Sequence, residues 1–137
     1  MGSFVSILKL VAIGVLGYLL IALGQTLVLE LLLGGQLAPD SPPTVLVAAT
    51  LGTVASGLIG GYLSARMGGE RPLLHTSAVL ALLSIDAVFV VFENVAGNPI
   101  WFDLSGALTL MLATAAGGWL RSRRHEHFRR PRPGIAT

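Results

Sequence analysis

Long apolar stretches separated by short polar breaks run along this chain. They predict four helices, at about residues 10–33, 44–65, 73–95 and 104–120. An α-helix rises about 1.5 Å per residue, so about 20 apolar residues cross a hydrocarbon core about 30 Å thick. Each predicted helix can therefore span a membrane, and we expect an all-α integral membrane protein built as a bundle of four transmembrane helices.

The breaks contain the residues that end helices. Residues 34–43 hold a Gly-Gly pair and three prolines. Proline has no backbone N–H to donate, so we expect the chain to leave the bilayer core there. Residues 66–72 predict a tight turn, and residues 97–99, Gly-Asn-Pro, end the third helix. Trp101 and Phe102 follow, at a position typical of an interfacial aromatic belt.

Small residues recur at helical spacing on the second and fourth predicted helices. Such ridges let membrane helices approach closely, because lipid offers no hydrophobic drive for their association. We predict that these residues are helix-packing positions: Gly52, Ser56, Gly57, Gly60, Gly61, Gly117 and Gly118.

The two halves of the chain resemble each other as helical hairpins. Glu30 and Glu93 each precede a glycine by four residues, and residues 60–63 and 117–120 both read Gly-Gly-aromatic-Leu. These matches predict an internal repeat with both hairpins in the same orientation. The alternative is coincidence in a chain rich in Gly, Ala and Leu.

Composition indicates a membrane protein and narrows its chemistry. Charged residues make up 12% of the chain and apolar ones 53%, whereas soluble domains average about 25% charged. The chain has no cysteine, which excludes disulfides, thiolate metal sites and cysteine nucleophiles. Sequence motifs of hydrolases, zinc peptidases and nucleotide-binding proteins are absent. We therefore expect neither an enzyme nor a cofactor.

Positive charge predicts the orientation of the chain in the membrane. Four spans place both termini and the turn at residues 66–72 on one side, and all nine Lys and Arg residues lie on that side. Cytoplasmic loops carry such an excess. We predict cytoplasmic termini, with the segments 34–43 and 96–103 outside, and a bacterial inner membrane as the location.

The charge is concentrated after the fourth helix. We divide the chain into a membrane domain, residues 1–120, and a basic cytoplasmic tail, residues 121–137. An arginine near an anionic membrane surface contributes about 1 kcal/mol, so the tail is predicted to contact lipid headgroups and could lie along the membrane. His125 and His127 are too few ligands for a metal site, and Phe128 alone does not make a nucleic-acid platform. The predicted headgroup contacts are Arg121, Arg123, Arg124, Arg129 and Arg130.

Asp86 lies near the middle of the third predicted helix, where a charged group costs about 2.5–3.5 kcal/mol on insertion scales. We expect it to be buried in the bundle, with no cationic partner at its depth. Helical periodicity places His75, Asp86 and Glu93 on one stripe, the arrangement that a proton relay needs. Gln25 and Glu30 are the further intramembrane polar candidates. The alternative is that Asp86 only fixes helix packing and that the other titratable groups are solvated.

Two functions therefore remain open. The first is an interaction or structural subunit of a homo-oligomer or larger membrane complex, because a four-helix monomer cannot easily bury Gly14, Gly17 and Gly24 of the first helix as well as the other ridges. The second is a small proton- or cation-linked transporter or channel unit that uses Asp86.

Overall fold

The computed structural model describes residues 2–32, 34–35, 37–94 and 97–129. Over these residues the chain is all-helical, with four helices that are each long and apolar enough to cross a membrane, as the sequence predicts. The helices are α1 (Gly2–Leu27), α2 (Pro43–Met67), α3 (Pro72–Phe92) and α4 (Ile100–Arg129). α1 continues into a single π-helical segment, Val28–Leu32.

The helix ends differ from the predicted ones. α1 begins at Gly2 rather than at residue 10, and α4 continues to Arg129 rather than ending at residue 120. No proline or glycine stands between Leu120 and Arg129, so nothing in the sequence stops the helix there. The first part of the basic tail is thus a continuation of α4. The predicted end of the third helix, Val95, lies outside the described residues.

A short turn joins α2 to α3. The backbone N–H of Gly68 donates to the carbonyl of Ser64 at 3.0 Å, which closes the end of α2. Gly69 then adopts a φ of +64°, a left-handed conformation that glycine accepts without steric cost. Pro72 occupies the first turn of α3, where its missing N–H leaves no helical hydrogen bond unmade.

The helices alternate in direction. On α1 and α2, Gly24 lies against Ser56, and the two helices are antiparallel. α3 and α4 are likewise antiparallel, with Gly118 against Thr76. α2 and α4 run parallel and make the most extensive helix–helix contact.

This alternation defines two ends of the molecule. We call the end with the α2–α3 turn, the start of α1 and the last turns of α4 the arginine end, because Arg66, Arg71 and the α4 arginines lie there. We call the other end, with the connections from α1 to α2 and from α3 to α4, the loop end.

Tight packing is concentrated between the middle of the molecule and the arginine end. Ile21, Val79 and Leu83 form a buried apolar cluster. Small buried side chains surround it on α2 and α4, including Ser64 and Thr114, both 0% exposed. By contrast, large apolar side chains on the outer faces of all four helices are exposed. A soluble protein rarely leaves so large an apolar surface uncovered, whereas lipid would cover it.

The glycines of α1 pack within the same chain. Gly14 lies against Ala78, Gly17 against Val79 and Ser64, and Gly24 against Ser56. Gly14 and Gly17 are buried and Gly24 is half-buried, so α2 and α3 cover these glycines to a larger extent than expected of a four-helix monomer.

The paired glycines of the two halves have comparable contacts. In each pair, one glycine meets the preceding helix of its own hairpin: Gly60 lies against Ile21, and Gly118 against Thr76. The other meets the opposite hairpin: Gly61 lies against Thr114, and Gly117 against Leu58. The order within the pair is reversed between the halves, so the internal repeat stays a prediction.

Candidate functional site

A cavity of about 490 Å³ lies among the four helices and reaches the loop end. Most of its lining is apolar. Its polar members come from every helix and from the α3–α4 connection: Gln25, Thr53, Asp86, Asn98 and Asp103. Among the described lining residues there is no Lys, Arg or His, so the charge of the site is acidic.

The cavity lies where α2 and α4 separate toward the loop end, while α1 stays against α2, with Gly52 beside Val28. At Gly61 and Gly117, α2 and α4 are so close that an added Cβ would overlap backbone atoms of the opposite helix. Gly106 lies about three turns nearer the loop end on α4. No described atom stands within 4 Å of a Cβ built there, apart from its own helix backbone and chain neighbours. Leu83 belongs both to the buried apolar cluster and to the lining, so this cluster forms the floor of the cavity.

Asp86 is exposed to the cavity rather than buried between helices. The expectation of burial is wrong, because Asp86 borders the cavity instead of packing against a neighbouring helix. The Tyr18 side chain, on α1, lies near enough to the Asp86 carboxylate to interact with it electrostatically. Asp86 thus has a polar neighbour on a second helix and an open side toward the cavity.

His75 does not share the environment of Asp86. It is buried, 7% exposed, at the arginine end, where its ring packs against Gly68. Its Nδ1 lies 2.9 Å from the carbonyl oxygen of Arg71, and it must donate to that oxygen because a carbonyl only accepts. Val79 and Leu83, both buried, lie between His75 and Asp86 on α3. The predicted stripe is therefore interrupted by the apolar floor.

Neither glutamate candidate lines the cavity. Glu93 is exposed just after the last residue of α3, and its backbone N–H donates to the carbonyl of Phe89 at 2.9 Å. Glu30 is exposed on the π-helical segment, whose Val28 and Leu29 do line the cavity. The sequence pattern placed both glutamates at the correct end of the molecule but not in the site.

Gln25 borders the cavity, and only one of its two polar side-chain atoms makes a hydrogen bond among the described residues. Its Oε1 accepts a hydrogen bond from the Thr53 hydroxyl at 3.3 Å, which links α1 to α2. Its Nε2 is buried and makes no hydrogen bond within the described part of the chain. An unmade hydrogen bond of this kind costs about 1–3 kcal/mol. The protein therefore keeps a polar side chain beside the cavity at the expense of stability.

Asn98 connects the two loops at the mouth of the cavity. Its Nδ2 donates to the carbonyl of Leu37 at 3.3 Å and to Oδ1 of Asp103 at 3.1 Å. The first bond joins the α1–α2 connection to the α3–α4 connection. The second holds the Asp103 carboxylate, in the first turn of α4, at the edge of the cavity.

Sequence reasoning missed Tyr18, Asn98 and Asp103. Tyr18 reads as one more amphipathic aromatic in an apolar run, and Asn98 reads as a residue of the Gly-Asn-Pro break. Asp103 fits a favourable acidic residue at a helix N-terminus.

The arginine end shows a separate polar arrangement. The guanidinium of Arg123 lies 3.9 Å from the ring centroid of Trp119, a cation–π contact. Arg123 and Arg124 are exposed, and Arg121 is half-buried. Arg129 ends α4, and Arg130 lies outside the described residues.

No protein-family model, curated protein or solved structure matches the chain. Its chemistry must therefore be inferred from the cavity. Two carboxylates within largely apolar walls attract positive charge, and their low-dielectric surroundings strengthen that attraction relative to water.

Proposed function

We propose that this chain is a four-helix bundle of a bacterial inner membrane with both termini in the cytoplasm. The support is the sequence distribution of positive charge, which puts Arg66, Arg71 and the arginines of α4 at one end of the molecule. The cation–π pair of Arg123 and Trp119 suits an interface, where an aromatic ring and a charged head lie at headgroup depth. Anionic lipid headgroups are the proposed partners of these arginines.

Within that bundle we propose a small transporter that exchanges a cation for a proton at Asp86. The observation that carries this proposal is the position of Asp86, a carboxylate about two turns from the loop end of a membrane-length helix and open to a cavity. An intramembrane carboxylate facing a cavity is typical of ion and proton pathways. A residue that only stabilises helix packing would instead be enclosed by its hydrogen-bond partners.

The coupling follows from competition between a proton and a cation for the Asp86 carboxylate. Asp86 binds either a proton or a cation, so occupation by one excludes the other. Tyr18 of α1 is the titratable neighbour of Asp86, and the Asp103 carboxylate of α4 lines the same cavity nearer the loop end. α2 contributes Ala49 and Thr53 to the lining, and neither side chain titrates.

Transport also requires a second access state. The cavity reaches the loop end, whereas the cluster of Ile21, Val79 and Leu83 closes the path toward the arginine end. A cation reaches the cytoplasm only if the floor separates. The glycine contacts between α2 and α4 suit a rigid pair of helices, against which α1 and α3 could move.

The subunit hypothesis stays a prediction with less support. Its motivation was the set of α1 glycines, and those pack against α2 and α3 of the same chain. Purification in mild detergent remains its direct test, because a subunit would travel with partners or as an oligomer.

The transporter is tested by reconstitution into phosphatidylethanolamine–phosphatidylglycerol vesicles that contain a trapped pH indicator. Gradients of K⁺, Na⁺ and tetraphenylphosphonium serve as probes. We expect at least one gradient to change the internal pH in vesicles with wild-type protein, and Asp86→Asn to abolish this change. Glu93→Gln is the matched control, because Glu93 is exposed outside the cavity.

Two results would contradict the proposal. One is a change in internal pH that, for every probe, is the same in vesicles with wild-type protein as in vesicles without protein. The other is equal activity of wild type and Asp86→Asn, which would leave Asp86 a structural residue. Loss of activity in Glu93→Gln as well would place the coupling outside the cavity.

A further inference from the structure

The walls of the cavity restrict what can occupy it. Its volume of about 490 Å³ falls within the range of about 300–1,000 Å³ found for small-molecule sites. Large apolar side chains supply most of the lining: Val28, Leu29, Leu83, Val90, Phe102 and Met111. A ligand that fills this space must bury apolar surface against them.

A multivalent metal ion is a poor fit to the same site. Ca²⁺ takes about 6–8 oxygen ligands and Mg²⁺ demands a near-ideal octahedron. The cavity offers the carboxylates of Asp86 and Asp103, and one of these already accepts a hydrogen bond from Asn98. No group of three or more acidic or imidazole side chains that could hold a metal occurs in the described ranges.

We propose that the cavity binds an organic monocation, with its positive group beside Asp86 and its apolar body against the lining of α3 and α4. An organic monocation of this kind is weakly hydrated, so it needs no cage of oxygen ligands to replace its water. Its apolar groups contact the apolar walls of the cavity. This inference rests on the proposed role of Asp86 as the cation-binding group. It adds the class of substrate and is tested by binding alone, without transport.

The test is calorimetric titration of the detergent-solubilised chain with tetramethyl-, tetraethyl-, tetrapropyl- and tetrabutylammonium chloride. The charge is constant along this series while the apolar body grows. We expect affinity to rise along it, by up to about fourfold for each CH₂ group that becomes buried. Asp86→Asn should weaken binding of tetrabutylammonium at least about tenfold, the loss expected for an electrostatic contribution above about 1.4 kcal/mol. Glu93→Gln should bind as wild type does.

A second variant separates shape from charge. Ala107 lines the cavity on α4, and Ala107→Phe adds a ring there without changing any charge. We expect it to weaken tetrabutylammonium binding more than tetramethylammonium binding. This comparison remains informative if Asp86→Asn fails to fold.

The inference is overturned if affinity is flat or falls along the series, or if Ala107→Phe and wild type bind all four ions equally. Equal affinity of a folded Asp86→Asn variant would also overturn it. Binding without any vesicle pH change would refute transport but keep the cation site. A vesicle response to K⁺ or Na⁺ without binding of the alkylammonium ions would keep transport and refute the organic ligand.

Discussion

Gly61 of α2 lies directly against the backbone carbonyl of Thr114 on α4. Gly117 of α4 returns the contact, since it meets the carbonyl of Leu58 on α2. In both cases the neighbour is backbone, which cannot rotate away as a side chain can. The closest approach of the two parallel helices therefore depends on the absence of a Cβ at these positions.

We expect Gly117→Ala to destabilise the protein by about 1–3 kcal/mol, the usual cost of forcing extra volume into a packed site. Gly106→Ala is the matched control, because it makes the same change on the same helix where the space is open. There the higher helix propensity of alanine, worth about 0.8–1.0 kcal/mol, should keep or raise stability. Thermal unfolding in one detergent measures both. Equal unfolding temperatures would show that α2 and α4 are not closely packed.

The prediction of four membrane-length helices is confirmed. It could be made from the sequence because a helix needs a long apolar stretch to cross a bilayer, and such stretches are visible in the sequence. The helix ends were less predictable. Apolar residues mark the part of a helix that contacts lipid, whereas backbone hydrogen bonding can continue into polar sequence, as it does to Arg129. The π-helical segment after Leu27 has no counterpart in the apolar pattern.

The site was predictable only in part, for a related reason. Periodicity placed Asp86 on a face of α3 but could not show that a cavity borders this face. The same periodicity put His75 in line with it, although the buried cluster of Val79 and Leu83 lies between them. Gln25 was found from its depth in the membrane. Its hydrogen bond to Thr53 depends on the register of α1 against α2, which the sequence does not reveal.

Orientation in the membrane is a second prediction. A reporter inserted after Asp40, in the connection between α1 and α2, should report the outside, and one fused to the C-terminus should report the cytoplasm. The physical reason is that positive loops are retained on the cytoplasmic side. Alkaline phosphatase and green fluorescent protein fusions give opposite readouts for each site. Two reporters on the same side would contradict a four-span topology.

A third prediction concerns the interrupted stripe on α3. His75→Gln should lose the hydrogen bond to the Arg71 carbonyl and lower stability by about 0.5–1.5 kcal/mol. Because the buried cluster separates His75 from the cavity, the cation-driven pH change per folded molecule should match that of wild type. Stability is measured by thermal unfolding and activity in vesicles. A loss as complete as that of Asp86→Asn, in protein that folds, would place His75 on the proton path.

The last prediction uses the two partners of one hydrogen bond, Gln25 and Thr53, which should respond with opposite sign. Gln25→Leu loses the bond at 3.3 Å but also removes the buried Nε2 that has no partner among the described residues. An unmade bond costs about 1–3 kcal/mol and a made one contributes about 0.5–1.5 kcal/mol, so unfolding temperature should hold or rise. The freed Thr53 hydroxyl can donate to a carbonyl one turn earlier, as Thr50 does to Leu46. Thr53→Val instead leaves Gln25 with neither atom paired and should lower the unfolding temperature.

Alkylammonium titration of the same variants completes the test. If the Gln25 side chain contributes to cation binding in the cavity, Gln25→Leu should bind more weakly in spite of its stability. A destabilised Gln25→Leu, or a neutral Thr53→Val, would show that Gln25 is an ordinary packing residue.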